Sequence, residues 1–202
     1  MNRLVRRAAA GLALALLALA LPARATIVVD QPLPEMARQS ALVVRGVVFA
    51  QKVQWDEQHR LIVTRTFLRT SQALKGTAGK TVVVRQVGGS IGGLHLNVPG
   101  MAPFHVGEEV VLFLERHPSA KGEYVLEAMS AAKFTVVATR SGPMVKRSLS
   151  GLVLARPDAN GIVRPSALPS ATPDELPYAQ LVRAVQEGRA LPPPAHPTAG
   201  QR

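Results

Sequence analysis

The 202-residue chain contains no cysteine. This absence excludes disulfide cross-links, thiol nucleophiles, zinc–thiolate sites and a lipid-anchored lipoprotein N-terminus. Small secreted domains often depend on disulfides, but a chain of this length can bury a core large enough to fold without them. We therefore expect a fold that is held together by apolar packing.

Acidic residues are scarce, with 13 Asp and Glu against 24 Lys and Arg. Four of the basic residues lie within the first 25 positions, which leaves 20 − 13 = +7 for the rest of the chain. This excess is dispersed. In residues 63–69, for example, arginines alternate with apolar and hydroxyl side chains, as on a solvated strand face. The pattern does not indicate a nucleic-acid site, and a cationic surface for anionic envelope polymers stays open as an alternative.

The N-terminal residues have the three parts of a secretory signal peptide. Three arginines lie within the first seven residues, an apolar run follows (Ala8–Leu21), and Ala23 and Ala25 form a small-x-small cleavage site. The run of 14 residues is shorter than the ~20 that a membrane-spanning helix needs. We predict Sec-type export, cleavage between Ala25 and Thr26, a periplasmic or secreted mature protein, and no stable membrane insertion after cleavage.

Residues 26–168 contain short apolar or alternating segments divided by turn-forming residues, which favours one all-β domain built as an antiparallel OB-like barrel. The predicted strands are Ala41–Ala50, Leu61–Leu68, Thr81–Val87, Leu94–Val98, Glu109–Leu114, Tyr124–Met129 and Phe134–Ala138. A hairpin is expected within 151–164, two helical turns within 33–40, and a short β-branched segment at 26–30. The apolar run 110–114 is typical of a central strand buried on both faces.

A C-terminal helix is predicted over residues 172–188. Thr172 and Glu175 have the spacing of a capping box, and Gly188 is a natural helix stop. Pro177 complicates the first turn and would place the start of the helix proper near itself. Residues 189–202 are rich in proline and alanine, so we predict a disordered tail.

The segment Gly88–Gly92 matches the G-x-S-x-G pattern of serine hydrolases, with Ser90 at the nucleophile position. That motif works only where a strand turns directly into a helix, and here the sequence predicts another strand. In a hydrolase triad with Ser90, the acid would be Asp158 or Asp174, and the base would be His196, which lies in the predicted tail. The five histidines form no metal-binding cluster. We therefore predict no catalytic residue, no metal site and no cofactor.

The long loop of residues 88–104 is the best candidate for a binding region, because long loops on rigid β-scaffolds often carry binding residues. Ser90, His95, Met101 and Phe104 are the candidate binding residues in it, and Trp55 is a fifth at a predicted hairpin end. The alternative is structural: Met101 and Phe104 close the open end of the barrel, and Trp55 packs at its rim.

Three blocks of sequence together resemble a known type of protein. They are Ala41–Val48, then Thr64–Thr70 leading into Leu74–Gly76, and finally Phe104–Leu114. Their order resembles that in exported bacterial proteins without assigned function. More remotely, it is similar to the netrin-like barrel of tissue inhibitors of metalloproteinases, which is an OB-type fold. The resemblance covers residues 41–138 and bears on fold more than on activity.

The resemblance transfers no functional residue to this chain. Tissue inhibitors of metalloproteinases bind the protease zinc through a disulfide-anchored N-terminal cysteine, whereas the mature chain would begin at Thr26 and has no cysteine. We predict an exported, non-enzymatic binding module, with a role as partner or inhibitor of an exported protease as the leading hypothesis. The alternatives are a cationic binder of anionic envelope polymers and an enzyme without a recognisable motif.

Overall fold

The structure is a computed structural model and describes residues 25–192. Of the predicted signal peptide and cleavage site, only Ala25 and Thr26 are within this range. Of the predicted disordered tail, residues 193–202 are outside it. Among the described residues, no helix is long and apolar enough to cross a bilayer.

Residues 25–192 form a mainly β-structure with two short α-helices. The strands are β1 (Thr26–Val29), β2 (Leu42–Trp55), β3 (Ile62–Lys75), β4 (Thr81–Val87), β5 (Gly89–Ile91), β6 (Leu94–Leu96), β7 (Glu109–Arg116), β8 (Glu123–Leu126), β9 (Lys133–Thr139), β10 (Gly142–Lys146), β11 (Leu152–Pro157), β12 (Val163–Pro165) and β13 (Glu175–Pro177). The helices are α1 (Leu33–Gln39) and α2 (Tyr178–Ala190), and a 3-10 helix spans Met129–Ala132.

Five of these strands close into a ring in the order β2–β3–β4–β8–β7, and β7 pairs back with β2. All pairs are antiparallel except β4 with β8, which run parallel. A closed five-stranded ring of this kind is OB-like, as predicted, although its β4–β8 pair departs from the predicted antiparallel arrangement. The ring takes its strands from residues 42–126, a shorter stretch than the predicted barrel domain of 26–168.

Successive side chains of β7 point alternately into two apolar cores, one on each side of the strand. Val110, Leu112 and Leu114 point into the barrel, whereas Val111 and Phe113 point outward under the helices. All five are completely buried, which confirms the prediction of a strand covered on both faces. Burial of each such side chain is worth ~1.5–3 kcal/mol, so this strand stabilises both layers at once.

The outward core is covered by a sheet extension and by the two helices. Strand β7 pairs with β8 near its C-terminal end and with β9 near its N-terminal end, and β9, β10 and β13 continue the sheet. Leu181 and Val185 of α2 pack into this core together with Met36 of α1. A separate three-stranded sheet, in the order β1–β11–β12, contains the hairpin predicted within residues 151–164.

The C-terminal helix begins directly after Pro177, which confirms the predicted start near that residue, whereas the predicted capping box at Thr172 and the predicted stop at Gly188 are wrong. The buried Thr172 hydroxyl donates to the Gln31 carbonyl oxygen at 3.0 Å, and Glu175 pairs with β10 as part of β13. The helix begins only after Pro177, because Thr172 and Glu175 are used in tertiary contacts. It continues through Gly188 to Ala190. A Cβ atom on Gly188 would lie 2.2 Å from the Pro34 carbonyl oxygen, so this glycine permits close helix packing and does not end the helix.

Candidate functional site

The candidate binding residues from the loop 88–104 separate into two groups. Phe104 is 7% exposed and packs in the barrel interior, in agreement with the alternative that it closes the barrel. Met101 is half-buried beside a cavity of about 130 Å³ at the barrel end, where its Sδ accepts a hydrogen bond from Gln86 Nε2 at 3.6 Å. Phe104 is therefore part of the barrel core, whereas Met101 lines the wall of this cavity.

Ser90 and His95 lie opposite each other in the β5–β6 hairpin, which turns through Gly92 and Gly93, both with positive φ. Ser90 Oγ is 2.6 Å from His95 Nδ1, and both side chains are exposed. No helix follows Ser90, so the strand-to-helix turn of a hydrolase nucleophile is absent here.

The acids proposed for a hydrolase triad are engaged elsewhere. Asp158 bonds Arg164 at 2.8 Å, and Asp174 pairs with the buried Arg147 at 3.3 Å. The third candidate, His196, lies outside the described residues. Within residues 25–192, no group of three or more His, Asp or Glu side chains is placed to hold a metal ion.

Trp55 lies at the end of the long β2–β3 ribbon, stacked on His59 with ring centroids 6.5 Å apart. The β5–β6 hairpin packs against the same end, since Gly88 N donates to the Ile62 carbonyl oxygen at 2.8 Å. Trp55, Ser90 and His95 are therefore brought to one end of the ribbon, and Met101 and Phe104 are not.

A second surface, which the sequence analysis did not identify, lies on the outside of β2, β3 and β4. We call it the outer face. Its members are the outward side chains Phe49, Lys52, Arg65, Phe67, Arg69, Val83 and Arg85. Strand register places Lys52, Arg65 and Arg85 side by side in one row and Phe67 next to Val83 in the adjacent row. The face is open on its apolar side, where Phe49 is 40% exposed and its ring lies 6.1 Å from that of Phe67.

Arg65 and Arg85 face each other on neighbouring strands and are held together by two carboxylates. Glu57 receives hydrogen bonds from both, at 2.9 Å from Arg65 and at 2.9 and 2.8 Å from Arg85. Glu123 Oε1 accepts from Arg65 Nε at 2.6 Å, and its other oxygen is 3.6 Å from Arg85. The hydrogen bonds from Arg85, followed by those from the Glu57 backbone and Arg65, lower the pKa of Glu57 from 4.5 to about 2.

The other two cations of the outer face have no acidic partner. Within the part of the chain that the structure describes, no carboxylate lies within 4 Å of Lys52 or Arg69. The Arg69 guanidinium lies 5.8 Å from the centre of the Phe49 ring. Four cations against Glu57 and Glu123 give 4 − 2 = +2 for this surface.

The sequence contained a signal for this surface. In residues 63–69, the alternation places Phe67 on the same side of the strand as Arg65 and Arg69. An ordinary solvated strand face does not require an aromatic side chain between two arginines. The neighbouring rows on β2 and β4 could not be aligned with it before the register was known.

Comparison with known proteins adds no family assignment. No protein-family model matches the chain, and a search of curated proteins found no match.

Proposed function

We propose that the protein is an exported, non-enzymatic binding module that holds an anionic polysaccharide on the outer face. The observation that carries this proposal is the combination, on three adjacent strands, of four cations with a partly exposed pair of phenylalanine rings. Cations attract the acidic groups of a polymer, and the flat apolar rings accommodate the faces of its sugars.

The position of the outer face within the fold supports the same function. OB folds bind oligosaccharides and oligonucleotides on their second and third strands, between the loops that join strands one to two and four to five. In this ring those strands are β3 and β4, and the loops are residues 56–61 and 117–122. The comparison is at the level of the fold and supports the location of the site more than the identity of the ligand.

The predicted export makes a carbohydrate polymer a better candidate ligand than a nucleic acid. The cations of the outer face lie on three adjacent strands and suit a repeating anionic ligand that is contacted at several points. The netrin-like resemblance is compatible with this proposal and adds no ligand of its own.

Isothermal titration of the chain beginning at Thr26 with polygalacturonate tests the proposal, with polyglutamate as the acidic-polypeptide arm. We expect binding of the polysaccharide and a loss of affinity of up to about tenfold in Phe49→Ala, because an aromatic stacking contact is worth ~0.5–1.5 kcal/mol. The matched control is Leu61→Ala, which removes an equally exposed apolar side chain from the ribbon end. Preference for polyglutamate, or equal losses in both variants, would contradict the proposal.

A second candidate function is that of partner or inhibitor of an exported protease. The observation that favours it is the exposed ribbon end and the adjoining β5–β6 hairpin, where Leu61 is 44% and Leu94 57% exposed. Exposed apolar side chains on projecting hairpins suit a protein interface. Leu61→Asp/Leu94→Asp should abolish capture of such a protease and leave polygalacturonate binding unchanged.

The close pair of Ser90 and His95 is the only specific support for an enzymatic alternative within the described residues. An exposed hydroxyl–imidazole contact without an orienting acid is weak support for catalysis. If the purified protein hydrolysed esters, peptides or glycans and Ser90→Ala abolished this activity, the non-enzymatic proposal would be wrong.

A further inference from the structure

The two arginines at the centre of the outer face are arranged as a receptor for a carboxylate. Their side chains are only 15% and 10% exposed for Arg65 and Arg85, whereas the Glu57 side chain that covers them is 56% exposed. Arg85 binds the Glu57 carboxylate with two parallel hydrogen bonds, and Arg65 adds a third. Bidentate guanidinium–carboxylate pairing is both strong and specific in geometry.

Glu123 is a second carboxylate at the two arginines, and it holds Arg65 independently of Glu57. Glu123, whose side chain is 16% exposed, accepts from Arg65 Nε at 2.6 Å and lies 3.6 Å from Arg85. If Glu57 moved away, Glu123 would therefore still orient Arg65 and remain as a nearby opposite charge for Arg85. Two cations facing a single remaining carboxylate would then leave a site with one positive charge in excess.

Glu57 can leave this site by rotation of its side chain alone. The backbone turn that contains Glu57 is fixed by the neighbouring residue Asp56. This side chain is buried, and its Oδ1 accepts hydrogen bonds from Arg60 N at 2.6 Å and from Leu61 N at 3.1 Å. The backbone of residues 56–61 therefore need not rearrange. Because Glu57 already faces solvent, its released carboxylate would be hydrated at little cost.

We propose that Arg65 and Arg85 form a carboxylate-binding site that Glu57 occupies in the free protein, and that a uronic-acid carboxylate of the ligand displaces it. This inference rests on the proposed polysaccharide-binding function and names the chemical group recognised at the centre of the face. Glu57 is then an internal competitor that weakens binding. The exchange replaces one carboxylate by another, so no charge is left unpaired at the arginines.

Removing the competitor should increase affinity. A site occupied by its own side chain nine times in ten binds an external ligand about tenfold more weakly than an open site. We therefore expect Glu57→Gln to bind oligogalacturonate about tenfold more tightly than the unmodified chain. Glu175→Gln is the matched control, because it removes one acidic charge from an exposed ion pair with Lys146 outside the outer face. Less than a twofold change is expected in this control.

The double variant Glu57→Gln/Arg85→Gln should lose the gain, since the ligand then lacks its bidentate partner. An equal effect of Glu57→Gln and Glu175→Gln, or weaker binding by a folded Glu57→Gln, would overturn the inference. A second readout needs no substitution: NMR titration of the Glu57 carboxyl should show its pKa rising from about 2 toward 4.5 when oligogalacturonate saturates the protein. An unchanged pKa in the saturated complex would contradict displacement.

The outcomes separate this inference from the function on which it rests. If the unmodified chain binds oligogalacturonate through Phe49 while Glu57→Gln changes nothing, only the displacement of Glu57 is refuted. If neither the unmodified chain nor Glu57→Gln binds it, the proposed function is refuted and the inference with it. Equal affinity for monomeric galacturonate and for the polymer would show that a single carboxylate, and not an extended chain, is the unit recognised.

Discussion

Replacement of Gly188 by valine should destabilise the protein strongly, although helix propensity favours the change. A Cβ atom at this position would lie 2.2 Å from the Pro34 carbonyl oxygen and 2.8 Å from Ala37 Cβ. Ordinary contact requires a separation of about 3.4 Å or more, so α1 would have to move by roughly 1 Å or α2 would have to tilt. Met36 and Ala37 are fully buried against this helix, and neither movement can occur without opening the core.

The expected change in the free energy of unfolding is the difference between two opposing effects. Overpacking a close contact costs ~1–3 kcal/mol, and more where backbone atoms are involved, whereas valine gains only about 0.4 kcal/mol over glycine in helix propensity. We expect a net loss of about 2–3 kcal/mol for Gly188→Val, measured as a lower urea midpoint at an unchanged m-value. Gln186→Val introduces the same side chain at an exposed position of α2 and should change stability by less than about 0.5 kcal/mol. Equal midpoints for the two variants would refute the tight α1–α2 contact.

Three further predictions concern stability. Lys75 Nζ caps the end of α1 by donating to the carbonyl oxygens of Ala37, Arg38 and Ser40 at 2.7–2.8 Å. Lys75→Met should therefore lower the free energy of unfolding in urea by about 2–4 kcal/mol, and an unchanged midpoint would contradict this role. Phe104→Ala should cost about 3–5 kcal/mol, and a stable variant would contradict its place in the core. Burial raises the pKa of Glu127 to about 8, with a smaller contribution from its carboxylate neighbour on β7. The free energy of unfolding should therefore fall as the pH rises from 4.5 to 8. The same slope of unfolding free energy against pH in Glu127→Gln would refute this.

Local patterns predicted most of the barrel because its strands carry their own apolar alternation. Strand β4 was predicted with the bounds that the structure shows, and β7 differs only by its last two residues. Strand β10 was not predicted, since Pro143 and the flanking glycine are typical of a turn; its pairing with β9 and β13 supplies the stabilisation that its sequence does not indicate. The formation of β10 therefore depends on pairing that its own sequence does not reveal.

The candidate site was less accessible to sequence reasoning for the same reason. Ser90 and His95 were predicted one by one, and only hairpin register shows that they touch. Arg65 and Arg85 lie 20 positions apart and become a pair through the β3–β4 register, while Glu57 reaches them from the preceding turn. Basic residues that are far apart in the sequence can therefore lie side by side on the surface of the folded protein.

The salt dependence of polygalacturonate binding tests the central claim, that the outer face binds a polyanion, most directly. The affinity of the chain beginning at Thr26 should fall steeply between 50 and 200 mM salt, because bound cations release counterions from the polymer. Lys52→Gln/Arg69→Gln should bind more weakly and with a clearly flatter slope. Arg140→Gln/Arg183→Gln, which removes the same charge from exposed residues elsewhere, should leave the slope close to that of the unmodified chain. Equal slopes for the two double variants would show that net charge, and not this face, holds the polymer.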